Sequence, residues 1–317
     1  MGWIRGLLGT LSRHWPNRLR YRLDRVARAR GDLAGFPYLV ATKRGLFAAG
    51  PDQYRLIAPG HYYGVSFRDG GIYCFEKLAG RGRVVRYRRE GNRIGEGRVV
   101  IRDLSEGCHQ IDWAGDFLYV TDTYNNRVLK FDGAYRQVAE FYPLGRCERG
   151  RASDNYAHIN SVVFFAGYAF LVCHNETAKT GRASQVLRCS PDFEVLQTYE
   201  RCGASAHNIV LLPDRSALVC DSGGAQVIDL HGAVRAKVDL FTRGLSVNAT
   251  EVVVGGSELA DRGSRERVRG KLYFFAPNFT LLRTLSLPGM VQEVRRLDGE
   301  DYSLSAFWER SGAEVSE

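Results

Sequence analysis

The stretch that decides the fold runs from Cys108 to Gly133 and reads CHQIDWAGDFLYVTDTYNNRVLKFDG. It holds three short runs of aliphatic and aromatic residues, separated by the Gly, Asp and Asn residues that favour turns. Similar short runs fill the chain from Phe36 onward, and no helix-length periodic stretch interrupts them. The sequence therefore predicts an all-β fold for this part of the chain.

The pattern of this stretch returns along the chain at a nearly constant interval. Strands that end in a small residue followed by polar residues read YCFEK, VTDTY, VCHNE, VCDSG and VGGSE. Histidines precede four of them at spacings of 48, 49 and 49 residues, and these are His61, His109, His158 and His207. Because a repeat of this length with about four strands is a propeller blade, the sequence predicts a six-bladed β-propeller. We expect two strands from each end of the chain to share the last blade, those at the carboxyl end over 290–297 and 302–308, which closes the ring.

The first 30 residues differ from the rest of the chain. They carry eight arginines against one acidic residue, a charge of +7 out of the +9 of the whole chain. Ile4, Leu7, Leu8, Leu11 and Trp15 recur at helical spacing among them. We therefore divide the chain into a basic amphipathic, helical segment over 1–35 and a propeller over 36–317. The segment is either a peripheral membrane contact through residues 1–30 or a helix packed on the propeller.

Charge and cysteine content bear on partners and location. The remaining 287 residues carry only about +2, which argues against a nucleic-acid-binding propeller. The seven cysteines form no CxxC pair, and Cys173 and Cys220 stand inside strand-like runs, so a reduced, cytoplasmic setting is expected, with membrane association through the first segment as the variant. No Walker or dinucleotide motif is present, and we expect no nucleotide cofactor.

The unit Cys108–Gly133 resembles an NHL-type repeat, with its xYVxDxxNxRVxxF core. The chain is thereby similar to the six-bladed superfamily of gluconolactonase and regucalcin-like hydrolases, strictosidine-synthase-like proteins and the peptide-amidating lyase. In the amidating lyase, histidines near the starts of inner strands hold zinc, and the four spaced histidines occupy the corresponding place. The carboxylate and amide set of the lactonases has no evident counterpart, so the resemblance does not imply a calcium-type lactonase.

Equivalent positions of consecutive blades converge on the axis of a propeller, so four imidazoles would meet there. Such a set suits a transition metal, most of all Zn or Fe, and the predicted ligands are His61, His109, His158 and His207. The alternative is that these histidines pack against the fold or bind substrate directly. His174 follows a strand where Asp122 and Asp221 stand in other units, and we expect it to line the same face.

Further candidates flank this predicted site. The predicted catalytic residues are Glu76, Glu176 and Glu258, at the bases of three long loops, and Tyr62 beside His61. The predicted substrate-binding residues are Arg81, Arg182, Arg262, Asn248 and Gln292.

These observations lead to one main hypothesis and two alternatives. The main hypothesis is a metal-dependent lyase, hydrolase or isomerase that acts on a small polar molecule in the central channel. The first alternative is a non-catalytic propeller that binds a protein or a glycan on the same face. The second is a non-haem iron oxygenase with an all-histidine site.

Overall fold

The computed structural model describes residues 26, 27, 29, 31–260 and 267–312 of the chain. Most of the amphipathic segment and Arg262 therefore lie outside the described residues. Within the described part, no helix is long and apolar enough to cross a lipid bilayer.

Twenty-four strands form six four-stranded antiparallel sheets. Blade 1 contains β4 (Tyr62–Arg68), β5 (Gly71–Leu78), β6 (Arg81–Glu90) and β7 (Arg93–Leu104). Blade 2 contains β8 (Cys108–Ala114), β9 (Phe117–Asp122), β10 (Arg127–Phe131) and β11 (Gln137–Phe141). Blade 3 contains β12 (Ile159–Phe165), β13 (Tyr168–Cys173), β14 (Gln185–Cys189) and β15 (Val195–Tyr199).

Blade 4 contains β16 (His207–Leu211), β17 (Ala217–Asp221), β18 (Gln226–Asp229) and β19 (Val234–Lys237). Blade 5 contains β20 (Phe241–Val247), β21 (Val252–Ser257), β22 (Arg269–Phe275) and β23 (Leu281–Pro288). Blade 6 contains β24 (Val291–Arg296), β1 (Tyr38–Thr42), β2 (Gly45–Ala49) and β3 (Tyr54–Pro59). Two short helices, α1 (Thr177–Thr180) and α2 (Ser305–Arg310), and 3-10 turns at Thr123–Asn125 and Gly150–Ala152 complete the described elements.

The six-bladed propeller is confirmed, but the last blade closes differently from the prediction. Only β24 comes from the carboxyl end, and it pairs with β1, the first of three strands from the amino end. The segment over 302–308, predicted to be a strand, instead leads into α2. The reason is that Ser305 and Trp308 are buried against the propeller. Trp308 packs edge-on against Phe165 of blade 3, with ring centroids 4.7 Å apart.

Apolar side chains from neighbouring blades share six clusters, one in each gap between blades. Burial of these clusters is the main force that holds the ring together. The cluster between blades 6 and 1 also includes Ala27, Ala29 and Leu33. The last residues of the predicted 1–35 segment therefore pack on the propeller.

The far end of the channel, toward which the inner strands run, is closed by residues near α2. The backbone N–H and the hydroxyl of Ser305 both donate to Asp112 Oδ2, at 3.0 and 2.5 Å. Arg295 donates to the hydroxyl of Ser303 at 2.6 Å. All four side chains are buried, and the inner strands begin at the opposite end of the channel.

Candidate functional site

The channel-lining residues owe their orientation to a bulge at the beginning of every inner strand. The pairing register shifts at Tyr62/Val65, Cys108/Ile111, Ile159/Ser161, His207/Ile209 and Thr242/Leu245, and in β24 between the partners of Ala41 and Thr42. A bulge carries an unpaired residue and re-aims its side chain. Six bulges at the same end therefore aim six sets of side chains at the axis.

Two glycines make the close approach of inner strands possible. A Cβ on Gly64 would lie 2.4 Å from the backbone nitrogen of Ile111 in the next blade. A Cβ on Gly244, whose φ is +82°, would lie 2.8 Å from Val294 Cγ2. The sequence uses glycine where the backbones of neighbouring blades touch.

Four histidines form a continuous arc at the channel entrance, which we call the histidine arc: His109, His158, His174 and His207. The ring centroids of successive members are 5.2, 4.5 and 5.0 Å apart. His61 stands outside the arc, because Tyr63 lies between it and His109 with both centroid distances at 5.1 Å. The structure thus brings three of the four predicted ligands together and adds His174.

Hydrogen bonds fix the tautomers of two members of the arc. The hydroxyl of Thr123 donates to the carbonyl of Ile159, and that of Ser222 donates to the carbonyl of Thr242. Each hydroxyl has one proton, so it accepts from the neighbouring Nδ1–H, that of His109 at 2.7 Å and that of His207 at 2.9 Å. Both imidazoles therefore keep the lone pair on Nε2.

His174 has the opposite tautomer. Its Nδ1 accepts the backbone N–H of Glu176 at 3.0 Å, so the ring proton sits on Nε2. His158 turns its Nδ1 toward the hydroxyl of Tyr156 at 3.1 Å and toward Glu176 Oε1 at 3.7 Å. We assign the ring proton to Nδ1, where Tyr156 and Glu176 can both accept it, and the lone pair of His158 to Nε2.

Burial keeps these imidazoles neutral. Desolvation lowers the pKa of His109, His174 and His207 well below the ordinary value. The nearby Arg243 cation lowers these pKa values further. The pKa of His158 is also lowered by burial, although the Glu176 carboxylate opposes the shift. All four imidazoles of the arc are therefore uncharged at neutral pH.

Arg243 lies at the end of the arc, on the first part of β20. It donates to His207 Nε2 and to Gln292 Oε1, and its side chain is buried. Both partners are neutral, so a guanidinium cation is placed directly beside an imidazole.

A layer of amides and one carboxylate lies beneath the arc. Glu293 is 2% exposed and accepts from Asn208 Nδ2 at 2.9 Å and from Gln110 Nε2 at 3.3 Å. Arg295 Nη1 lies 3.3 Å from the same carboxylate. Desolvation outweighs this ion pair and raises the pKa of Glu293 to about 7.

Above the arc the channel widens into a cavity of about 630 Å³, which we call the mouth cavity. This volume suits a small organic molecule. Aromatic and aliphatic side chains line part of it, among them Tyr63, Phe241 and Leu240. Its charged lining residues are five basic side chains, Lys43, Lys77, Arg151, Lys179 and Arg243, and three acidic ones, Glu106, Glu176 and Asp239.

Glu176 is the one predicted catalytic carboxylate that lines the mouth cavity. It faces His158, pairs with Arg151, and accepts from Lys179 at 2.7 Å. Hydrogen bonds from these neighbours hold its pKa well below the usual range, so the carboxylate is ionised.

The other predicted catalytic residues lie elsewhere. Tyr62 is fully buried and hydrogen-bonds the hydroxyl of Tyr87 at 2.8 Å. Glu76 is equally buried and pairs with Arg83, with Nε and Nη2 at 2.9 and 2.8 Å. Both side chains satisfy their polar atoms inside blade 1 and do not line the mouth cavity, and their catalytic role stays a prediction. Glu258 is exposed and does not line the mouth cavity.

Of the predicted substrate-binding residues, Gln292 lies in the channel beside Arg243. Arg81 is exposed and pairs with Asp103. Arg182 is exposed too, and donates to the backbone carbonyls of Asp154 and Tyr156. Asn248 stabilises the turn after β20, where its Oδ1 accepts from the backbone of Thr250 and Glu251. Arg81, Arg182 and Asn248 do not line the mouth cavity, and their role in substrate binding stays a prediction.

The sequence interpretation missed Arg243, Glu293 and the amides. The sequence carries a three-residue motif at the bulge. Its first residue faces the channel, its second is a glycine, an amide or a carboxylate, and its third is aliphatic. Units that follow this pattern read YGV, HQI, HNI, RGL and QEV. Alignment of the units on the aliphatic residue would have placed Arg243 at the position equivalent to His109 and His207.

The placement of the arc nitrogens bears on the predicted metal ion. Among the described residues, no group of three or more His, Cys, Asp or Glu side chains is placed to hold one. The rings of His158 and His174 are stacked at 30°, and Nε2 of His207 accepts from Arg243. Nδ1 of His109, His174 and His207 and Nε2 of His207 are thus engaged in hydrogen bonds, and the predicted Zn or Fe ion stays a prediction.

Comparison with known proteins supports the fold alone. No family model matches the chain, and no curated protein does. A chain of the nidogen/laminin complex is similar over 81% of this chain and 97% of its own length, with a TM-score of 0.60 at 11% identity. A protein of unknown function from Bacteroides caccae covers the same shares with a TM-score of 0.56 at 11% identity.

A calcium-binding regucalcin from Agrobacterium tumefaciens is similar over 78% of this chain and 77% of its own, at 12% identity. Its TM-score of 0.49 is too low to support an inference about chemistry. The chain is a six-bladed β-propeller, and no subfamily is established.

Proposed function

We propose that this propeller is an enzyme that binds a small polar molecule in the mouth cavity and moves a proton with His158. The observation that carries the proposal is the contact of a buried, neutral imidazole with an ionised carboxylate at the edge of a cavity of about 630 Å³. Lyases, isomerases and hydrolases all need such a base.

His158 is suited to the role of general base. Its Nδ1 side is oriented by Tyr156 and Glu176, and its Nε2 keeps the lone pair. When Nε2 takes a proton from the substrate or from water, the imidazolium that forms is stabilised by the Glu176 carboxylate. Before that step, burial keeps the ring in the form that accepts a proton.

The backbone at these residues supports a functional role. His158 has a φ of +56° and Glu176 a φ of +47°, both in the left-handed region. Such conformations are costly for residues with a Cβ, and they cluster at functional sites. Here they turn both side chains toward the cavity.

A metal-dependent lyase, hydrolase or isomerase is the second candidate. It is favoured by the spacing of about 5 Å between imidazoles of the arc and by His61 Nε2, which is buried and has no hydrogen-bond partner among the described residues. The sequence hypothesis of an iron oxygenase depends on the same nitrogens.

The test is a screen of small polar metabolites for conversion by the wild-type chain, followed by the variants His158→Asn and Glu176→Gln. We expect His158→Asn to lower turnover by about a hundredfold or more, and Glu176→Gln to lower it less. His231→Asn is the matched control, because His231 is exposed and does not line the mouth cavity. A compound that binds in the cavity and is never converted would show a binding protein instead of an enzyme.

A further inference from the structure

Arg243 occupies a position in blade 5 that histidines occupy in blades 2 and 4. It lies two residues before Leu245, where pairing of β20 resumes, as His109 lies two before Ile111 in β8 and His207 two before Ile209 in β16. Its side chain lines both the mouth cavity and a smaller void of about 10 Å³ beneath it, between the arc and Glu293. The guanidinium therefore lies on the path between the cavity and the channel axis.

The charge of Arg243 acts on the whole set of imidazoles. It lowers the pKa of all four members of the histidine arc and that of His61. The contact with His207 Nε2 is direct, and Gln292 Oε1 holds the other terminal nitrogen. A metal ion among the same nitrogens would meet this fixed positive charge at close range and would have to displace it from His207.

We propose that Arg243 is the resident cation of this site in the place where the sequence predicts a metal, and that it binds the anionic group of the substrate. The substrate is thereby a small carboxylate or phosphate compound. Guanidinium is suited to both groups because its planar fork matches two oxygens at once. That the bound anion is a substrate rests on the proposed function. Anion binding by Arg243 itself does not depend on catalysis.

The rest of the lining fits an anion. Lys43 and Lys77 line the mouth cavity together with Arg243. Among the described lining residues, basic side chains outnumber acidic ones five to three. Among the acidic ones, Glu176 is paired with Arg151 and Lys179, and Asp239 with Lys271. Glu106 is paired with Lys77. The described lining residues keep a net charge of +2, from five basic and three acidic side chains, which favours an anion over a metal cation.

The experiment compares wild type with Arg243→Met by calorimetric titration of inorganic phosphate, succinate and Zn²⁺, each alone. We expect wild type to bind phosphate or succinate and not Zn²⁺; which anion binds more tightly distinguishes the two chemistries. Arg243→Met should weaken anion binding about tenfold or more and should gain Zn²⁺ binding, because His207 Nε2 is released. The further change His207→Ala should remove the gained Zn²⁺ site.

Two variants keep the test decisive. Arg243→Lys retains the charge without the planar fork, so it should bind the anion more weakly than wild type and still exclude Zn²⁺. Arg136→Met is the matched control, because Arg136 is exposed and pairs with Asp132 outside the cavity. Stoichiometric Zn²⁺ binding by wild type, or the absence of binding of either anion, would overturn the inference. Anion binding through Arg243 combined with full turnover by His158→Asn would instead overturn only the proposed function.

Discussion

Glu293 offers a quantitative test of the buried layer beneath the histidine arc, through the variant Glu293→Gln. Burial raises the pKa of this carboxyl from 4.5 to about 7 in the folded state. In the unfolded chain the group keeps the ordinary value. Below pH 4.5 the group is protonated in both states and contributes no pH dependence. Between pH 4.5 and 7 only the unfolded state loses the proton, so stability of the wild type falls as the pH rises.

The size of the effect follows from the two pKa values. Each pKa unit corresponds to about 1.36 kcal/mol, so ionised Glu293 lowers the free energy of unfolding by about 3 kcal/mol above pH 7. Glutamine has nearly the same shape as the protonated acid and does not titrate. The stability of Glu293→Gln relative to wild type should therefore rise by about 3 kcal/mol across this window.

The assay is urea unfolding of both proteins at a series of pH values, with the free energy of unfolding compared at each pH. Histidines titrate in the same window, but they do so in both proteins, and the difference isolates Glu293. The exposed Glu300→Gln serves as the control. A difference that stays flat with pH, or one that falls as the pH rises, would refute the reasoning, because it would mean that Arg295 at 3.3 Å compensates the desolvation of the carboxylate.

Three further variants test the fold and the corrected residues. Gly64→Ala should destabilise the protein by about 2–3 kcal/mol in the same urea assay, because the added Cβ meets the backbone of Ile111, whereas Gly133→Ala, with nothing within 4 Å, should be nearly neutral; equal stability of the two would be inconsistent with the contact between blades. Glu76→Gln should cost about 3–5 kcal/mol, since it leaves the Arg83 charge buried without its carboxylate, while Glu258→Gln should change stability by less than about 0.5 kcal/mol. Metabolite conversion should survive both of these changes, and loss of turnover in Glu76→Gln with the fold intact would restore Glu76 to the site. Deletion of residues 291–317 removes β24 and α2 and should abolish the cooperative unfolding transition, because blade 6 is left without its innermost strand; a transition like that of the full chain would disprove the closure by β24.

The fold could be predicted from the sequence because a propeller repeats one unit. The spacing of His61, His109, His158 and His207 reports the period directly, and the small residues at strand ends fix the register. The closing blade could not be assigned in detail from the same signal. Its strands come from both ends of the chain and lack the repeated histidine. In addition, Trp308 lies in a helix, although the residues around it also fit the pattern of a strand.

The site was predicted only where one residue type recurs. His109, His158 and His207 were found because they match one another, and His174 because it follows a strand. Arg243 and Glu293 were missed because no other blade has an arginine or a glutamate at the equivalent position of its inner strand. Only the bulge shows which positions are equivalent. The side chains of Glu76 and Tyr62 could not be oriented from the sequence, because a position beside the channel does not indicate which way a side chain points, and in blade 1 both turn into the core.

The tautomers of the histidine arc test most directly the central claim that this is a neutral, hydrogen-bonded acid–base site. Long-range ¹H–¹⁵N correlation spectra of the imidazoles at neutral pH, assigned with single His→Asn variants, would identify the protonated nitrogen of each ring. The account predicts a proton on Nδ1 for His109 and His207 and on Nε2 for His174, all in the neutral form. Doubly protonated rings in the arc, or a proton on Nε2 of His207 where Arg243 donates, would contradict it.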